Sequence, residues 1–158
     1  MNEQLKSELL SRVDHDQAMR RGELEWDDNV DLENTEYLRG IVDNAGWPDL
    51  SSAGHEVAQA AWLLVQHADH DPLFQAHCLE LMKNMPSGEV KLSHIAFLED
   101  RVRVNNKQPQ LYGTQFYKDG DYFGPRPIED ITGLDERRLK MGMEPFAEYE
   151  VLIRQLHE

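Results

Sequence analysis

Residues 57–72 read VAQAAWLLVQHADHDP, and the passage decides the fold: an apolar helical run stops at a knot of histidines and aspartates and restarts on a proline. Val57 to Val65 is apolar nearly all round, as a buried central helix should be. Its longest uninterrupted apolar run, AAWLLV at 60–65, falls far short of the roughly 20 residues of a membrane span. Asp71 followed by Pro72 supplies a cap and a first-turn residue for the next helix, which continues through Phe74, Gln75, His77, Cys78, Leu81 and Met82. The joint between these helices is therefore tight. It leaves His67 at a helix C-terminus, on the edge of the core face, where the negative end of the helix dipole favours a positive charge. His67 is thus a candidate general acid or base. The alternatives are a structural, hydrogen-bonded histidine, or a metal ligand acting with Asp71, His77 or His94. One interhelical turn cannot aim His67, Asp69, His70 and Asp71 at a single point.

Upstream, a first helix is expected over Glu3–Arg21, where Asp16 and Arg20 continue the apolar stripe of Leu5, Leu9 and Val13. A surface ion pair at i, i+4 or the lining of a pocket both account for them, and Gln17 would extend such a lining. A second helix carries Tyr37, Leu38, Ile41, Val42 and Ala45, capped by Asp31 or a neighbour and stopped by Gly46-Trp47-Pro48. Asn34, one turn before Tyr37 and Leu38, points to the core side, where its amide needs a partner. Ser51 or Ser52 caps the central helix.

Downstream of Pro86-Ser87-Gly88, a fifth helix over Val90–Val104 is expected to bury Leu92, Ile95 and Val102, with His94, Leu98 and Arg101 along one flank. Arg101 either ties the helix to a loop or binds an anion. Pro109 to Tyr117 reads as a strand, Lys118 to Asp121 as a turn and Tyr122-Phe123 as the return, a β-hairpin that presents Gln110, Tyr112, Thr114 and Gln115 as directional hydrogen-bonding groups. Gly113 would let another backbone or a ligand come close. An extended GPRPIED segment, a short helix begun by Asp135 and a last helix opened by Pro145 complete seven helical stretches. The fold is read as mainly α: one domain, residues 1–158, an irregular orthogonal helical bundle with a small β-hairpin near residues 110–124.

The chain has 30 acidic and 16 basic side chains, a net charge of −14, which disfavours nucleic acid as a ligand. Residues 14–36 concentrate the acid, with nine carboxylates against Arg20 and Arg21. This is either a solvated face or a docking surface for a basic partner. The opening MNEQLKSELL lacks the apolar core of a signal peptide, and a single cysteine, Cys78, forms no internal disulfide and is read as a core residue. A cytoplasmic protein is expected, without a membrane anchor. No serine elbow, P-loop, paired-cysteine motif or dinucleotide fingerprint is present, so no nucleotide cofactor is expected.

Taken in order, Asp16-Gln17-x-x-Arg20, Gly46-Trp47-Pro48, Gln66-His67-Ala68-Asp69, Asp100-Arg101-Val102, Tyr112-Gly113-Thr114-Gln115 and Pro127-Ile128-Glu129-Asp130 resemble the signatures of a bacterial family of unknown function, DUF6624, over nearly the whole chain. The resemblance brings no established activity. It does imply that the polar motif residues matter: His67, Asp16 and Arg101 as a catalytic set, and Gln17, Arg20, Asn34, Gln75, Tyr112, Thr114 and Gln115 as ligand-binding groups. Acid–base or hydrolytic chemistry on a small polar or anionic metabolite is one expectation, an acidic module that binds a basic protein a second. The third is a fold specified by buried polar networks.

Overall fold

The structure, a computed structural model, describes residues 1–158 and is mainly α-helical, with eight α-helices, one 3-10 turn and one β-hairpin. It divides into two compact units, Met1–Val90 and Lys91–Glu158. No helix is long and apolar enough to cross a membrane.

The first unit contains α1 (Glu3–Arg20), α2 (Asn29–Ala45), α3 (Leu50–Ala53), α4 (His55–Gln66) and α5 (Pro72–Lys83). As its composition requires, α4 is central and packs on the other four helices. Its Val57, Ala60, Ala61, Leu64 and Val65 are buried with Leu9 and Val13 of α1, Leu38, Ile41 and Val42 of α2, and Phe74, Cys78, Leu79 and Met82 of α5. Burial pushes the Cys78 thiol up to about 12, which leaves it protonated and unreactive at neutral pH. Gly46 ends α2 with φ 78°. Asp71 caps α5 by accepting the Phe74 N–H at 3.0 Å, with Pro72 in the first turn. The reading of one helix after Ser51 fails at Gly54, whose φ of 87° divides α3 from α4. Asp49, not a serine, caps α3 through the Ser52 N–H at 2.7 Å. Ser51 instead donates its N–H and hydroxyl to the Glu89 carboxylate at 2.9 and 2.5 Å.

The second unit contains α6 (Leu92–Asn105), β1 (Phe116–Asp119), β2 (Tyr122–Pro125), the 3-10 turn (Ile131–Gly133), α7 (Leu134–Lys140) and α8 (Phe146–His157). The strands are antiparallel, Phe116 opposite Pro125 and Asp119 opposite Tyr122, and the two-residue turn between them starts at Gly120 with φ 59°.

Two expectations change here. Leu92 is 50% exposed, and α6 buries Ala96, Leu98 and Asp100 instead of Leu92, Ile95 and Val102. The expected strand over Pro109–Tyr117 forms only from Phe116. Asp100 takes the N–H groups that a ladder would need: Oδ1 accepts from Leu111 and Tyr112 at 2.7 and 3.0 Å, and Oδ2 from the Thr114 N–H and hydroxyl at 3.0 and 2.8 Å. The fully buried Arg138 holds the same loop from the other side, donating from Nη1 to the Tyr112 carbonyl and from Nε to Glu144 O at 2.7 Å. Gly113, at φ 71°, accommodates the Phe146 ring rather than a ligand, since a Cβ there would lie 2.8 Å from two ring carbons. Asp135, inside the first turn of α7, accepts the Phe146 N–H at 2.9 Å at the start of α8.

Candidate functional site

The buried end of the α1 stripe meets the α4–α5 joint. Asp16 is fully buried and gathers three polar partners. Its Oδ2 lies 2.9 Å from His67 Nδ1 and accepts from Gln17 Nε2 at 2.9 Å, and its Oδ1 accepts from Arg20 Nε at 3.0 Å. Burial pushes the Asp16 carboxyl up, but His67, Gln17 and Arg20 together outweigh it and hold the group below the usual carboxylate range. Asp16 is therefore a carboxylate at neutral pH.

His67 occupies the C-cap of α4. The contact with Asp16 is short but not aligned: Nδ1 is buried without a hydrogen bond of good geometry. The side chain keeps 15% exposure. Because Nδ1 is the buried nitrogen, that exposure lies on the rest of the side chain.

Arg20 bridges outward from this pair, its Nη2 donating to both oxygens of Asp31 at 2.7 and 2.9 Å. Its guanidinium also lies 5.3 Å from the Trp26 ring centroid. Asp31 enters from the first turn of α2. The sequence marked it as a cap candidate and as part of an acidic run, whereas Asp28 holds the N-cap position; its bond to Arg20 was not legible, because the four-residue spacing that reveals the Asp16–Arg20 pair has no counterpart across a loop.

Asp16, Asp31 and His67 place one ligand atom each within 4.8 Å of one another. This is where the fold gathers donors of the carboxylate and imidazole type around His67, rather than with Asp71, His77 or His94, the partners weighed for it as an alternative. Asp71 is turned instead to the α5 cap and to Arg39. The donor set suits a borderline divalent ion. The place of that ion between the two carboxylates is held by the Arg20 guanidinium, so the cluster is compensated by its own cation.

The remaining expected site residues have other tasks. Gln75, fully buried, donates Nε2 to Val65 O, Gln66 O and Asp69 Oδ1 at 3.1, 3.3 and 3.2 Å, closing the carbonyl end of α4. That clamp supports the peptide on which His67 sits. Asn34 accepts from Arg12 Nη1 at 3.2 Å, and both line a cleft of about 380 Å³ with Glu8, His15, Asp27 and Glu33. Arg101, Tyr112, Thr114 and Gln115 belong to the second unit. There Thr114 is bound to Asp100, and Gln115 Nε2 donates to Thr114 Oγ1 at 3.0 Å. Asp100, Gln110 and Arg138 form the buried centre of that network; the sequence marked Asp100 only within a motif and Gln110 only as a strand group, and Arg138 was missed. An isolated charge or amide in a helix or loop carries no periodic signal of burial.

No characterised protein and no solved structure matches the chain. A family model does, described as a family of unknown function, DUF6624, and because it matches residues 3–158 the chain belongs to that family.

Proposed function

We propose that the Asp16–His67 pair is an acid–base centre acting on a small polar metabolite. The observation that carries this reading is a fully buried carboxylate set 2.9 Å from Nδ1 of a histidine whose exposure lies on the rest of the side chain. In such a pair the carboxylate orients the ring and stabilises the imidazolium that forms when Nε2 takes a proton, and Nε2 later returns that proton to a leaving group. Gln17 and Gln75 hold the pair in place, one through Asp16 and the other through the carbonyls below His67. Since Arg20 is already matched by two carboxylates, the site favours a polar ligand over a strongly anionic one. We place this chemistry in the cytoplasm, a reading supported by the single buried thiol.

The test is a thermal-shift screen of the protein against small polar metabolites, with His67→Gln alongside. A ligand that binds only the native state raises the melting temperature by mass action. A stabilising hit that the folded His67→Gln protein loses, followed by turnover in the wild type alone, is the expected result. A hit turned over equally by the variant overturns the proposal.

A second reading, an acidic module for a basic partner, is favoured by Leu24, Trp26 and Leu32, which are 43%, 54% and 45% exposed within the acidic 14–36 segment. Asp27 and Asp28 have local duties, accepting from the Asn29 N–H and the Trp26 indole at 2.9 and 2.7 Å. Charge reversal at Glu25 and Glu33 is therefore the cleaner probe. Binding of a basic protein that is salt-sensitive and lost in that variant would support this reading, and binding unchanged by the reversal would count against it.

A further inference from the structure

The second unit carries a cleft unlike the rest of this chain. About 290 Å³ in volume, it is lined by Val104, Lys107, Gln108, Pro109, Arg126 and Pro127, close to the lower end of the size range of small-molecule sites. Two of its six lining residues are cations and none is an acid, in a chain with 30 acidic side chains against 16 basic. The charge of this unit opposes an anion far less than that of the first. Residues 1–90 hold 18 acids and 6 bases, a net of −12, whereas residues 91–158 hold 12 and 10, a net of −2.

The walls are fixed before any ligand arrives. Pro109 and Pro127 have no freedom in φ. Lys107 sits in the left-handed region at φ 59°, held where α6 ends by its N–H to Val104 O at 3.0 Å and by the Gln108 N–H to Arg103 O at 2.8 Å. The fully buried Gln110 joins the two sides, donating Nε2 to Arg126 O and its own N–H to Pro127 O, both at 2.9 Å. The Arg126 guanidinium is steadied 4.5 Å from the Tyr117 ring centroid.

We propose that this cleft binds a small organic anion, a carboxylate on a compact apolar body. The carboxylate pairs with Arg126, whose planar fork suits two oxygens, and with the Lys107 ammonium. The body rests on Val104, Pro109 and Pro127. Rigid walls lower the ordering cost that a shallow site would otherwise impose on affinity. The proposal is independent of the Asp16–His67 reading.

The test uses the full chain and 4-fluorobenzoate as the probe, followed by ¹⁹F line broadening and by amide shifts of ¹⁵N-labelled protein. Saturable binding is expected, with shifts at Val104, Lys107 and Gln108. Arg126→Gln and Lys107→Gln, both exposed substitutions checked for fold by circular dichroism, should each weaken it about tenfold, the effect of losing one charge-assisted contact. The uncharged analogue 4-fluorobenzyl alcohol should bind at least about tenfold more weakly for the same reason. Absence of saturable binding, equal binding of the alcohol, wild-type affinity retained in both variants, or shifts confined to residues 1–90 would overturn the proposal.

Discussion

Replacing Asp16 with asparagine keeps the shape of the side chain and removes its charge, and the structure sets the size of the effect. The wild-type carboxylate is fully buried against His67, Gln17 and Arg20. Stranding the partner of a buried ion pair costs about 3–5 kcal/mol. Two features lower that figure here: Arg20 keeps its bonds to Asp31 and is 28% exposed, and the His67 side chain keeps 15% exposure. The expected loss is about 2–3 kcal/mol, a fall in Tm of roughly 5–10 °C for a chain of this size. His67→Gln alone should cost about 1–2 kcal/mol, through the contact it abandons. Urea unfolding at neutral pH of the wild type, both single variants and the double variant closes a thermodynamic cycle. The double variant should be more stable than the sum of the single losses implies, by at least about 1 kcal/mol, because either change breaks the same contact. Additivity within about 0.5 kcal/mol would refute the pairing and with it the proposed centre. Acid titration supplies the sign. The folded Asp16 carboxyl is held below its ordinary range, so the stability it contributes is present above about pH 4 and is lost as pH falls through that range. In Asp16→Asn this part of the acid-side decline should disappear.

Three further outcomes follow from the same coordinates. Gly113→Ala combines a positive φ of 71° with a Cβ 2.8 Å from the Phe146 ring, so it should destabilise by about 2–4 kcal/mol; Phe146→Leu in the same chain should recover part of the loss, and a neutral Gly113→Ala in thermal unfolding would contradict the packing. Burial lowers the His94 imidazole from 6.5 to about 4, with Lys91 adding to the effect. Its neutral-form stabilisation is complete above pH 6.5 and fades as pH falls toward 4. After discounting for partial exposure, about 1–2 kcal/mol should be lost in the wild type across that window and retained in His94→Gln, as read from chemical denaturation at a series of pH values. Arg20→Ala removes the cation from among Asp16, Asp31 and His67, so zinc should raise the Tm of that variant while leaving the wild type unmoved; a zinc shift of equal size in both would mean that Arg20 does not hold the metal's place.

Periodicity and capping made the first unit legible. The central helix, its tight joint to α5 and the Gly46 stop are written in residues that act on their immediate neighbours. That Asp16, Gln17, Arg20 and His67 form one polar cluster was legible for a related reason: the first three share one helix face and His67 ends another helix. Gly54 was not, because the adjacent Ser51 and Ser52 both read as caps of one helix and only the observed φ of 87° selects the break after them. The second unit was harder to read. Pro109–Tyr117 has the alternation of a strand, yet Asp100 diverts three of its N–H groups from any ladder. That capture spans 11 to 14 residues, beyond the range of local rules. Leu92 shares the face of Ala96 and Asp100 and is exposed because it is the first residue of α6.

Asp16 and Asp100 are both fully buried, and both stand in polar stretches that the sequence singled out, yet their surroundings assign them different work. Asp100 is satisfied by three backbone N–H groups and one hydroxyl, all neutral, and burial pushes its carboxyl up despite those donors. Its four bonds fix one loop in one conformation, and none of them can carry a proton through a reaction. Asp16 is paired with side chains, two of them cationic or able to become so, and those charges pull its carboxyl down. A carboxylate held charged by an arginine can stabilise new positive charge on the neighbouring imidazole, which a dipole-solvated carboxyl cannot do as well. The buried polar residues of this family member therefore form two kinds of network, one that fixes a loop in the second unit and one of charged and ionisable side chains around His67 in the first. The two are separated by the kind of partner each carboxyl has, not by its burial.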